Sequence, residues 1–334
     1  MSEVNRSAPF LVVGESVADI VTSVAGAVDV HPGGSPANVA FGLCRLGREV
    51  TLVTALGDDA YGSLIRTHLE GAGVRVVTAG SARSTATAMA HLDETGAATY
   101  TFDIEWDLGP AALPVTPLHV HTGSIGAAME PGAAAVADMI KSLRRVATVS
   151  FDPNVRPALL TERAAVRHRL EDLLVHTDVI KASDEDLRWL YPDVEPLNTA
   201  ASWLARGPSV VVLTQGAAGS TALSRAGDVT ISSTHVDVVD TVGAGDSFMA
   251  ALLDGLHEQD LLGTANQDRL RDISLGTLRH VVSRASRAAA ITVSRAGAMP
   301  PTRLELDHAA SSGLSASAPA RRPGDGGDGD VHAG

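Results

Sequence analysis

The stretch Asp240-Thr241-Val242-Gly243-Ala244-Gly245-Asp246-Ser247-Phe248 predicts the start of a helix, and an extended segment over residues 235–239 precedes it. After Phe248, Leu252 and Leu256 follow at i+4 and i+8, which is the spacing of one helix face. The glycine turn therefore lies at a helix N-terminus. Unpaired backbone N–H groups and the positive end of the helix dipole meet there, so the turn predicts an anion site.

Asp246 places a carboxylate at this predicted anion site. A carboxylate repels phosphate unless it takes part in the chemistry. One that accepts the proton of an attacking hydroxyl, beside donors that hold a phosphoryl group, has such a part. The alternative is structural, because Asp often caps the first turn of a helix. The segment by itself leaves both interpretations open.

Composition narrows the class of protein. The chain has 334 residues, of which 45% are hydrophobic, and a net charge of −13, so we do not expect nucleic acid as a partner. The single cysteine, Cys44, excludes an internal disulfide framework and suits a reducing cytoplasm; we expect it to be a small buried hydrophobe on a helix. No segment reads as a secretion signal or reaches the ~18 apolar residues of a membrane span, so we expect no membrane association.

Short apolar segments alternate with helical ones along most of the chain. This rhythm predicts an α/β fold, a doubly wound, mostly parallel sheet with helices on both faces. Ligands of such sheets bind beyond the carboxyl ends of the strands. The predicted strands cover residues 10–13, 50–55, 147–151, 179–182 and 210–214, and the predicted helices cover residues 38–46, 61–72, 132–146, 162–174 and 197–205.

Two segments break the rhythm by alternating polar and apolar residues, 17–30 and 84–102. They predict a small sheet outside the main layer, a lid within about residues 15–31 and 84–106. We expect one domain over residues 1–310. The remainder, 311–334, is rich in Ser, Ala, Pro, Gly and Asp and predicts a disordered tail.

Two further turns carry candidate binding residues. Gly33-Gly34-Ser35-Pro36-Ala37-Asn38 allows close approach of a ligand; Asn38 is either an N-cap or an amide that binds a polyol. The segment Asp152-Pro153-Asn154-Val155-Arg156 follows a predicted strand. Binding and catalytic residues of this class of sheet lie at the carboxyl ends of the strands. Arg156 is suited to hold phosphate or a substrate oxygen, and a surface ion pair is the alternative.

The ends of two later strands are also polar. Residues 181–186 show a capping pattern from Ser183 to Asp186, and the acidic cluster suits Mg²⁺-bound water as well. Residues 214–219 form a glycine turn that suits nucleotide phosphate or ribose, or is a plain hairpin turn. No Gly-Lys dipeptide occurs, which excludes a P-loop, and the dinucleotide fingerprint fails because residue 248 is not glycine. His119 and His121 lack the companion ligands of a zinc site and predict a packed or substrate-lining pair.

Two long motifs resemble the signatures of the ribokinase-like (PfkB) sugar kinases. Gly33-Gly34-x-x-x-Asn38-x-Ala40, with Gly47 and Gly57, resembles the first; Asp240-Thr241-x-Gly243-Ala244-Gly245-Asp246 resembles the second. The resemblance spans about residues 10–303. It implies transfer of the ATP γ-phosphoryl group to a primary hydroxyl of a sugar, with Mg²⁺ and commonly K⁺. The family often dimerises through the lid, so a homodimer is expected.

The resemblance also assigns roles by position. Asp246 resembles the general base, and Gly243, Ala244 and Gly245 the anion hole. The other implied roles are sugar binding by Asp19, Gly33, Gly34, Asn38 and Arg156, ATP binding by Lys181, Ser183, Thr214, Gly216 and Gly219, and a K⁺ site at Asp240 and Val242 near Thr292 and Gly297. The family's Asn-x-x-Glu motif is Ser183-x-x-Asp186 here, which weakens an Mg²⁺ role for Asp186.

Three hypotheses remain. Asp152-Pro-Asn-x-Arg156 and Lys181-x-Ser183 look most like fructokinases and 2-keto-3-deoxygluconate kinases, so fructose is the first expectation. A kinase for a keto-acid sugar or a nucleoside is the second, with Arg156 as partner of a carboxylate. Aromatic residues are only 3% of the chain, which counts against a nucleoside, although Trp106 beside the lid could stack on a sugar face. A sugar-binding regulator without catalysis is the third, and the intact Asp246 speaks against it.

Overall fold

A computed structural model describes residues 9–23, 26–80, 82–92, 98–234 and 236–311 of the chain. Strands and helices alternate within these ranges as the sequence predicts. The strands are β1 Phe10–Val13, β2 Val17–Thr22, β3 Val28–Gly33, β4 Val50–Thr54, β5 Arg75–Thr78, β6 Thr87–Leu92, β7 Ala98–Asp103, β8 His119–Gly123, β9 Thr148–Asp152, β10 Val179–Ser183, β11 Val210–Thr214, β12 Ser220–Ser224 and β13 Gly227–Ile231. The α-helices are α1 Ser35–Arg45, α2 Ala60–Gly71, α3 Ser124–Ala128, α4 Gly132–Leu143, α5 Arg163–Leu174, α6 Asp184–Leu190, α7 Pro196–Leu204, α8 Ala244–Glu258, α9 Gln267–Arg271, α10 Leu275–Val293 and α11 Arg303–Ser311.

Nine strands form the main sheet in the order β13-β12-β11-β10-β9-β8-β1-β4-β5. The strands from β11 to β5 pair in parallel, and β12 and β13 extend the sheet as antiparallel neighbours. The predicted doubly wound α/β fold is confirmed. Strand order reverses between β1 and β8, since β4 continues on one side of β1 and β9 on the other side of β8. In such sheets ligands bind outside the carboxyl ends at this reversal.

Each central strand contributes to two hydrophobic cores. Phe10 and Val12 pack in the core that includes α1, α8 and α10, whereas Leu11 and Val13 pack in the core that includes α4, α5 and α7. Burial on both faces explains why these strands read as continuous apolar segments. Helix α8 is buried on nearly every side from Asp246 to His257, as expected of a helix packed between α1 and α10.

The predicted lid is a separate four-stranded sheet in the order β3-β2-β6-β7. β2 pairs in parallel with β6, and the two outer pairs are antiparallel. The β2–β3 hairpin leads directly into the turn before α1, because Gly33 is the last residue of β3 and pairs with Val17. The lid is thus covalently tied to the predicted sugar-binding turn. The predicted tail from residue 312 onward lies outside the described residues.

Two predicted helices have clearly different bounds in the structure, α1 at its start and α4 at its end, which lies at Leu143 and not at residue 146. Helix α1 begins at Ser35, three residues before the predicted start, because Pro36 is preorganised for a first helical turn. The extended segment predicted before α8 is not part of either sheet over residues 236–239; the N–H groups of Val239 and Asp240 donate instead to the carbonyl of Val293 at the end of α10. His235 lies outside the described residues. Where the structure describes the chain, no helix combines the length and apolar character needed to cross a bilayer.

Candidate active site

Asp246 is the third residue of α8, and its carboxylate joins the two glycine turns that carry the motifs of the sequence. Gly243 precedes the helix with a left-handed φ of 73°, which glycine adopts at little cost. Asp246 Oδ1 accepts a hydrogen bond of 2.6 Å from Ser35 Oγ, and Oδ2 accepts one of 2.8 Å from Asn38 Nδ2. No side-chain capping bond forms at this helix start. The capping interpretation of Asp246 is therefore wrong, and the carboxylate is aimed at α1.

Asn38 and Ser35 reach Asp246 because α1 starts early. They are spaced i and i+3, so they share one helix face, and Asn38 lies inside the helix rather than at its N-cap. Gly34 occupies the N-cap position with a φ of 97°; a Cβ there would lie 2.7 Å from the carbonyl oxygen of Glu15. The N-cap alternative for Asn38 is wrong. Sequence analysis assigned no role to Ser35, although the i, i+3 spacing to Asn38 signalled it.

Asp19 lies against the same turn, as predicted for a sugar-binding residue. A Cβ on Gly33 would lie 2.1 Å from Asp19 Oδ2, so a larger residue there would displace the Asp19 carboxylate. Burial raises the pKa of Asp19 to about 6; Arg156 and His31 oppose this shift and Asp246 adds to it. The structure therefore brings Asp19, the glycine turn and Asp246 together into one site.

Arg156 follows β9 at the carboxyl edge of the sheet. Its Nη1 donates hydrogen bonds to Oδ1 and the carbonyl of Asn154, at 2.6 and 3.1 Å, and Asn154 has a left-handed φ of 37°. Within the described ranges Arg156 forms no ion pair within 4.0 Å, so the surface ion pair is not realised. Its charge instead acts on Asp19 and Glu15 across the site.

Glu15 is a buried acid that sequence analysis missed. It follows β1 at the point where strand order reverses, and Oε2 accepts a 2.7 Å hydrogen bond from the N–H of Gly126. Burial raises the pKa of Glu15, and hydrogen bonds from backbone N–H groups and from Ser124 only partly offset this. The available signal was an acid directly after a buried strand, in Gly14-Glu15.

Lys181 on β10 forms a buried ion pair with Asp152 on β9. Nζ lies 2.7 Å from Asp152 Oδ2, and the two side chains are only 4% and 0% exposed. Burial lowers the pKa of Lys181, but the carboxylates of Asp152, Asp186 and Asp246 outweigh it and the net direction is upward. A Cβ on Gly245 would lie 3.0 Å from Nζ, so the ammonium group sits beside the predicted anion turn.

The capping prediction at Ser183 and Asp186 is confirmed. Ser183 Oγ accepts a bond from the N–H of Asp186, and Asp186 Oδ2 accepts one of 2.9 Å from the N–H of Ser183. Asp186 Oδ1 accepts a third, of 2.7 Å, from the N–H of Val155. Each carboxylate oxygen thus already holds a backbone donor, which leaves only its second lone pair for metal-bound water.

The predicted nucleotide loop lies next to Ser183, because Thr214 pairs with Ser183 in the sheet. Residues 216–218 form a 3₁₀ turn between β11 and antiparallel β12, so the plain hairpin geometry is present. Gly219 has a φ of 95°, and a Cβ there would meet the carbonyl of Ile231 at 2.1 Å. The role of Thr214, Gly216 and Gly219 toward nucleotide stays a prediction.

The residues of the predicted K⁺ site lie in one region. Asp240 Oδ1 accepts a 2.9 Å bond from the N–H of Val242, and Oδ2 accepts one of 2.9 Å from the N–H of Gly297. Gly243 packs on Ala298, where a Cβ would meet Ala298 Cβ at 2.6 Å. Thr292 is buried, with its hydroxyl 2.8 Å from Ser247 Oγ. The loop from 240 to 243 is therefore braced by the segment after α10.

The suggestion that Trp106 stacks on a sugar is wrong. Its side chain is buried, and Nε1 donates a 3.0 Å hydrogen bond to the carbonyl of Gly126. The indole also fills the space beside Gly132, where a Cβ would lie 2.3 Å from Nε1. The ring is therefore part of the hydrophobic core, just after the last lid strand, β7.

The prediction of a packed histidine pair is confirmed, and the prediction that Cys44 is buried is met only in part. His119 and His121 are a packed pair in β8, hydrogen-bonded to Thr148 and Ser150, and the described residues contain no cluster of three or more metal-ligating side chains. Cys44 is partly buried against the α1 core, and burial raises the pKa of its thiol to about 12.

Comparison with known proteins places this geometry in context. Residues 10–304 match the family described as pfkB family carbohydrate kinase. The chain is 34% identical to a fructokinase of Klebsiella pneumoniae over 73% of its own length and 83% of that protein. Its structure is similar to the ATP-bound fructokinase of Xylella fastidiosa, with a TM-score of 0.79 at 26% identity, covering 91% of this chain and 99% of that one. The fructokinase of Vibrio cholerae O395 in its fructose, ADP and calcium ion bound form gives a TM-score of 0.74 at 25% identity, over 91% and 99%.

Proposed function

The chain belongs to the pfkB family of carbohydrate kinases and is an ATP-dependent sugar kinase, and from this premise we propose that its substrate is fructose. The resemblance predicted from the two motifs is confirmed at the level of the family. The relatives described above are fructokinases and share most of their length with this chain. The proposed reaction transfers the γ-phosphoryl group of ATP to a primary hydroxyl of the sugar.

The observation that carries this proposal is the position of Asp246. Its carboxylate lies at the N-terminus of α8, beside the turn at Gly243–Gly245, and two donors on α1 fix its orientation. A carboxylate so placed accepts the proton of the attacking hydroxyl while the backbone N–H groups of the turn stabilise the charge on the phosphoryl group. Orientation by Ser35 and Asn38 matters because proton transfer requires hydrogen-bond distance to the substrate hydroxyl.

The sugar is proposed to lie between the lid and the main sheet. Asp19 accepts hydrogen bonds from sugar hydroxyls, the turn at Gly33 and Gly34 allows close approach, and Arg156 donates to sugar oxygens. The ATP phosphates are proposed to lie along the ends of β10 and β11. The residues assigned there are Lys181, Ser183, Thr214, Gly216 and Gly219.

Mg²⁺ is proposed to accompany ATP. Kinase Mg²⁺ binds mainly to phosphate oxygens and water with one or two carboxylates, so the lack of a three-ligand cluster among the described residues fits this group. Mg²⁺ neutralises charge on the β- and γ-phosphates. Asp186 would hold it through water by its remaining lone pairs. K⁺ is proposed to bind near Asp240 and Val242, in the loop before the anion turn. Hydrogen bonds from Asp240 to the N–H groups of Val242 and Gly297 hold this loop.

The charges of the site favour a neutral sugar. Asp19, Glu15 and Asp246 provide three buried or half-buried carboxyl groups, and Arg156 is the cation that acts on two of them. A keto-acid sugar would add a further carboxylate to a site that already holds these three acidic side chains. It remains the second candidate because Arg156 has no ion pair within the described ranges and is able to bind a carboxylate. A nucleoside is the less favoured substrate, since aromatic residues are only 3% of the chain and Trp106 is buried in the core.

A substrate panel tests the proposal. ADP release is measured with fructose, other hexoses, pentoses, 2-keto-3-deoxygluconate and nucleosides, with Asp246→Asn as the inactive control. We expect kcat/KM for fructose to exceed that of every other substrate by at least about tenfold, a difference of ~1.4 kcal/mol in transition-state binding. A preference for the keto acid would select the second candidate. Sugar binding without any single turnover of ATP would identify a regulator.

We further propose a homodimer formed through the lid. β3 and β7 are the outer strands of the small sheet, and Val28 on β3 is 57% exposed. Unpaired outer strands offer backbone groups for pairing with a second copy. Sedimentation of the protein and of a Val28→Lys variant checks this, and a wild-type monomer at micromolar concentration would contradict it.

A further inference from the structure

A column of polar side chains is buried in the face of the main sheet that packs against α8. Its apolar neighbours on this face are Phe10, Val12 and Val179, whereas Val120 and Val149 lie in the core on the other face. Side chains alternate between the two faces along a strand, so the polar residues that flank Val120 and Val149 share the α8 face. They are His119, His121, Thr148 and Ser150, and each is at most 1% exposed. Burying polar groups costs free energy unless they are hydrogen-bonded, so apolar side chains would serve a purely structural sheet better.

Hydrogen bonds join these side chains into one chain. The N–H of Gly263 donates to Thr148 Oγ1 at 2.9 Å, and Thr148 Oγ1 lies 2.9 Å from His119 Nδ1. Ser150 Oγ lies between the two rings, 2.7 Å from His119 Nε2 and 2.9 Å from His121 Nδ1. The chain therefore runs from the loop after α8, through the core, toward the carboxyl edge of the sheet.

Only one direction of this chain uses every hydroxyl hydrogen. Burial lowers the pKa of both histidines, that of His121 to about 3, so each ring is neutral and carries one N–H. Among the described residues, Thr148 Oγ1 meets only the N–H of Gly263 and the ring of His119, so its hydrogen goes to His119 Nδ1. His119 then donates from Nε2 to Ser150, and Ser150 donates to His121 Nδ1. The hydrogen of the His121 ring is thereby placed on Nε2.

The end of the chain lies near a carboxylate that lacks donors. His121 Nε2 and both carboxylate oxygens of Asp152 are buried and form no hydrogen bond of good geometry with the described residues, although Lys181 Nζ lies 2.7 Å from Asp152 Oδ2. Asp152 follows Ser150 by two positions on β9, so its side chain is on the same face, about 6.6 Å further toward the carboxyl edge. The charge of Lys181 contributes to the low pKa of His121, so the ring lies near the ion pair.

We propose that a buried water bridges His121 Nε2–H to the Asp152 carboxylate, and that His121 is thereby a positioning residue for Asp152. A buried water needs two to four polar partners. Here it accepts from His121 and from the ammonium group of Lys181, and it donates to Asp152. The carboxylate is then held from the histidine side as well as from the lysine side. The inference rests on the proposed function only in that Asp152 holds Lys181, which is assigned to ATP.

The direction of the chain is measured without any substrate. Long-range ¹H–¹⁵N correlations of ¹⁵N-histidine-labelled protein distinguish a ring that carries its hydrogen on Nδ1 from one that carries it on Nε2. His119→Gln and His121→Gln assign the two signals. We expect both rings to be neutral with the hydrogen on Nε2 from pH 5 to pH 8. A hydrogen on Nδ1 of His121 would overturn the proposal, since Nε2 would then be an acceptor.

The bridge itself is tested at its other end. Asp152→Asn replaces the carboxylate by a weaker acceptor, so we expect the His121 Nε2–H resonance to move upfield. Asp138→Asn, at an exposed position of α4, is the matched control and should leave the resonance unchanged. A crystal structure at high resolution should show a water within about 3.2 Å of both His121 Nε2 and an Asp152 oxygen. An unmoved resonance in Asp152→Asn, or no water at this position, would refute the bridge.

Kinetics test whether the bridge affects turnover. His121→Leu removes it, whereas His121→Gln keeps an oxygen for Ser150 and an N–H for the water. We expect kcat/KM for ATP to fall about tenfold in His121→Leu and to recover largely in His121→Gln, with both melting temperatures measured. Combining His121→Leu with Asp152→Asn should be no worse than Asp152→Asn alone, because both changes remove the same bridge.

A histidine that only fills space predicts a different result: His121→Gln would lose at least as much activity as His121→Leu, and the losses of the double variant would add. Either outcome would overturn the positioning role. If a variant does not fold, the signals of the wild type still decide the direction of the chain. An active fructokinase with the hydrogen on Nδ1 would refute this inference alone, whereas a protein that phosphorylates no sugar would refute the proposed function and leave the resonance measurements to decide this one.

Discussion

Asp246 Oδ2 lies 2.8 Å from Asn38 Nδ2, although 208 positions separate the two residues in the chain. This bond connects α8, whose start carries the anion turn, to α1, whose start carries the glycine turn beside the lid. Since α1 and α8 also pack along their lengths, the relative position of the two turns is fixed by buried apolar contacts. The proposed general base is thereby held beside the turn that joins the lid to α1.

The first prediction concerns Asp246 itself. Asp246→Asn keeps the shape of the side chain and an oxygen that accepts from Ser35, but removes basicity. We expect kcat to fall by at least ~10²-fold, while the sugar Kd measured by calorimetry changes by less than about tenfold. Turnover above about a tenth of the wild-type rate would refute the assignment as general base.

Ser35 should act through Asp246. Ser35→Ala removes the 2.6 Å hydrogen bond to Oδ1 and leaves the carboxylate oriented by Asn38 alone. Hydrogen bonds to charged groups contribute about 1.5–3 kcal/mol, so we expect kcat to fall about tenfold or more with KM for ATP unchanged. Ser63→Ala, at an exposed position of α2, is the control and should behave as wild type. Equal kinetics for both variants would argue against an orienting role.

The raised pKa of Asp19 predicts that kcat/KM for the sugar decreases at acid pH. Its pKa is raised to about 6, so between pH 7 and 5 the folded protein gains a proton there and loses an acceptor for sugar hydroxyls. We expect kcat/KM for the sugar to fall as pH drops through about 6, and this decrease to vanish in Asp19→Asn, which is less active throughout.

The same shift has a consequence for stability. An acid whose folded pKa is above its unfolded value of 3.8 binds its proton more tightly in the folded state. Its contribution to the free energy of unfolding therefore grows as pH falls from about 6 toward 4, and it is lost as pH rises through 6. Comparing wild type and Asp19→Asn by denaturant unfolding at pH 5 and pH 7 measures this. The variant should be stabilised relative to wild type more at pH 7 than at pH 5.

Arg156 should affect catalysis without affecting folding. Arg156→Ala removes a side chain that forms no ion pair within the described ranges, so we expect an unchanged melting temperature and a loss of roughly 2–4 kcal/mol in kcat/KM. Arg156→Lys retains the charge but not the planar fork and should recover only part of the activity. A melting temperature that falls together with activity would favour a structural role.

A further prediction concerns the ions. Chelation of Mg²⁺ should abolish turnover, since the charge on the β- and γ-phosphates must be neutralised for transfer. K⁺ should increase kcat relative to Na⁺, because carbonyl groups near Asp240 and Val242 would bind it and order the anion turn. Equal initial rates in K⁺, Na⁺ and a bulky organic cation would dispose of the K⁺ site.

The sequence by itself determined the class of fold and the helix start that carries Gly243 and Asp246. Strands such as β1 and β11 were predicted at their observed bounds, because burial on both faces leaves a short continuous apolar segment bounded by turn residues. Gly243 and Asp246 were identifiable because a helix start and a left-handed glycine are local features. Local features depend on neighbours in the chain, and those are visible in the sequence.

The tertiary structure alone decided which side chains meet. The sequence signals at Ser35 and Glu15 are local and name no partner, and the pairing of Lys181 with Asp152 depends on the order and register of β9 and β10. Trp106 was misassigned for the same reason, since an aromatic residue beside the lid fits a sugar site or a core equally well until Gly126 and Gly132 are placed against it. Contacts between distant elements form only when the whole core packs. The free energy that favours them comes from many residues together, so no single position in the sequence predicts them.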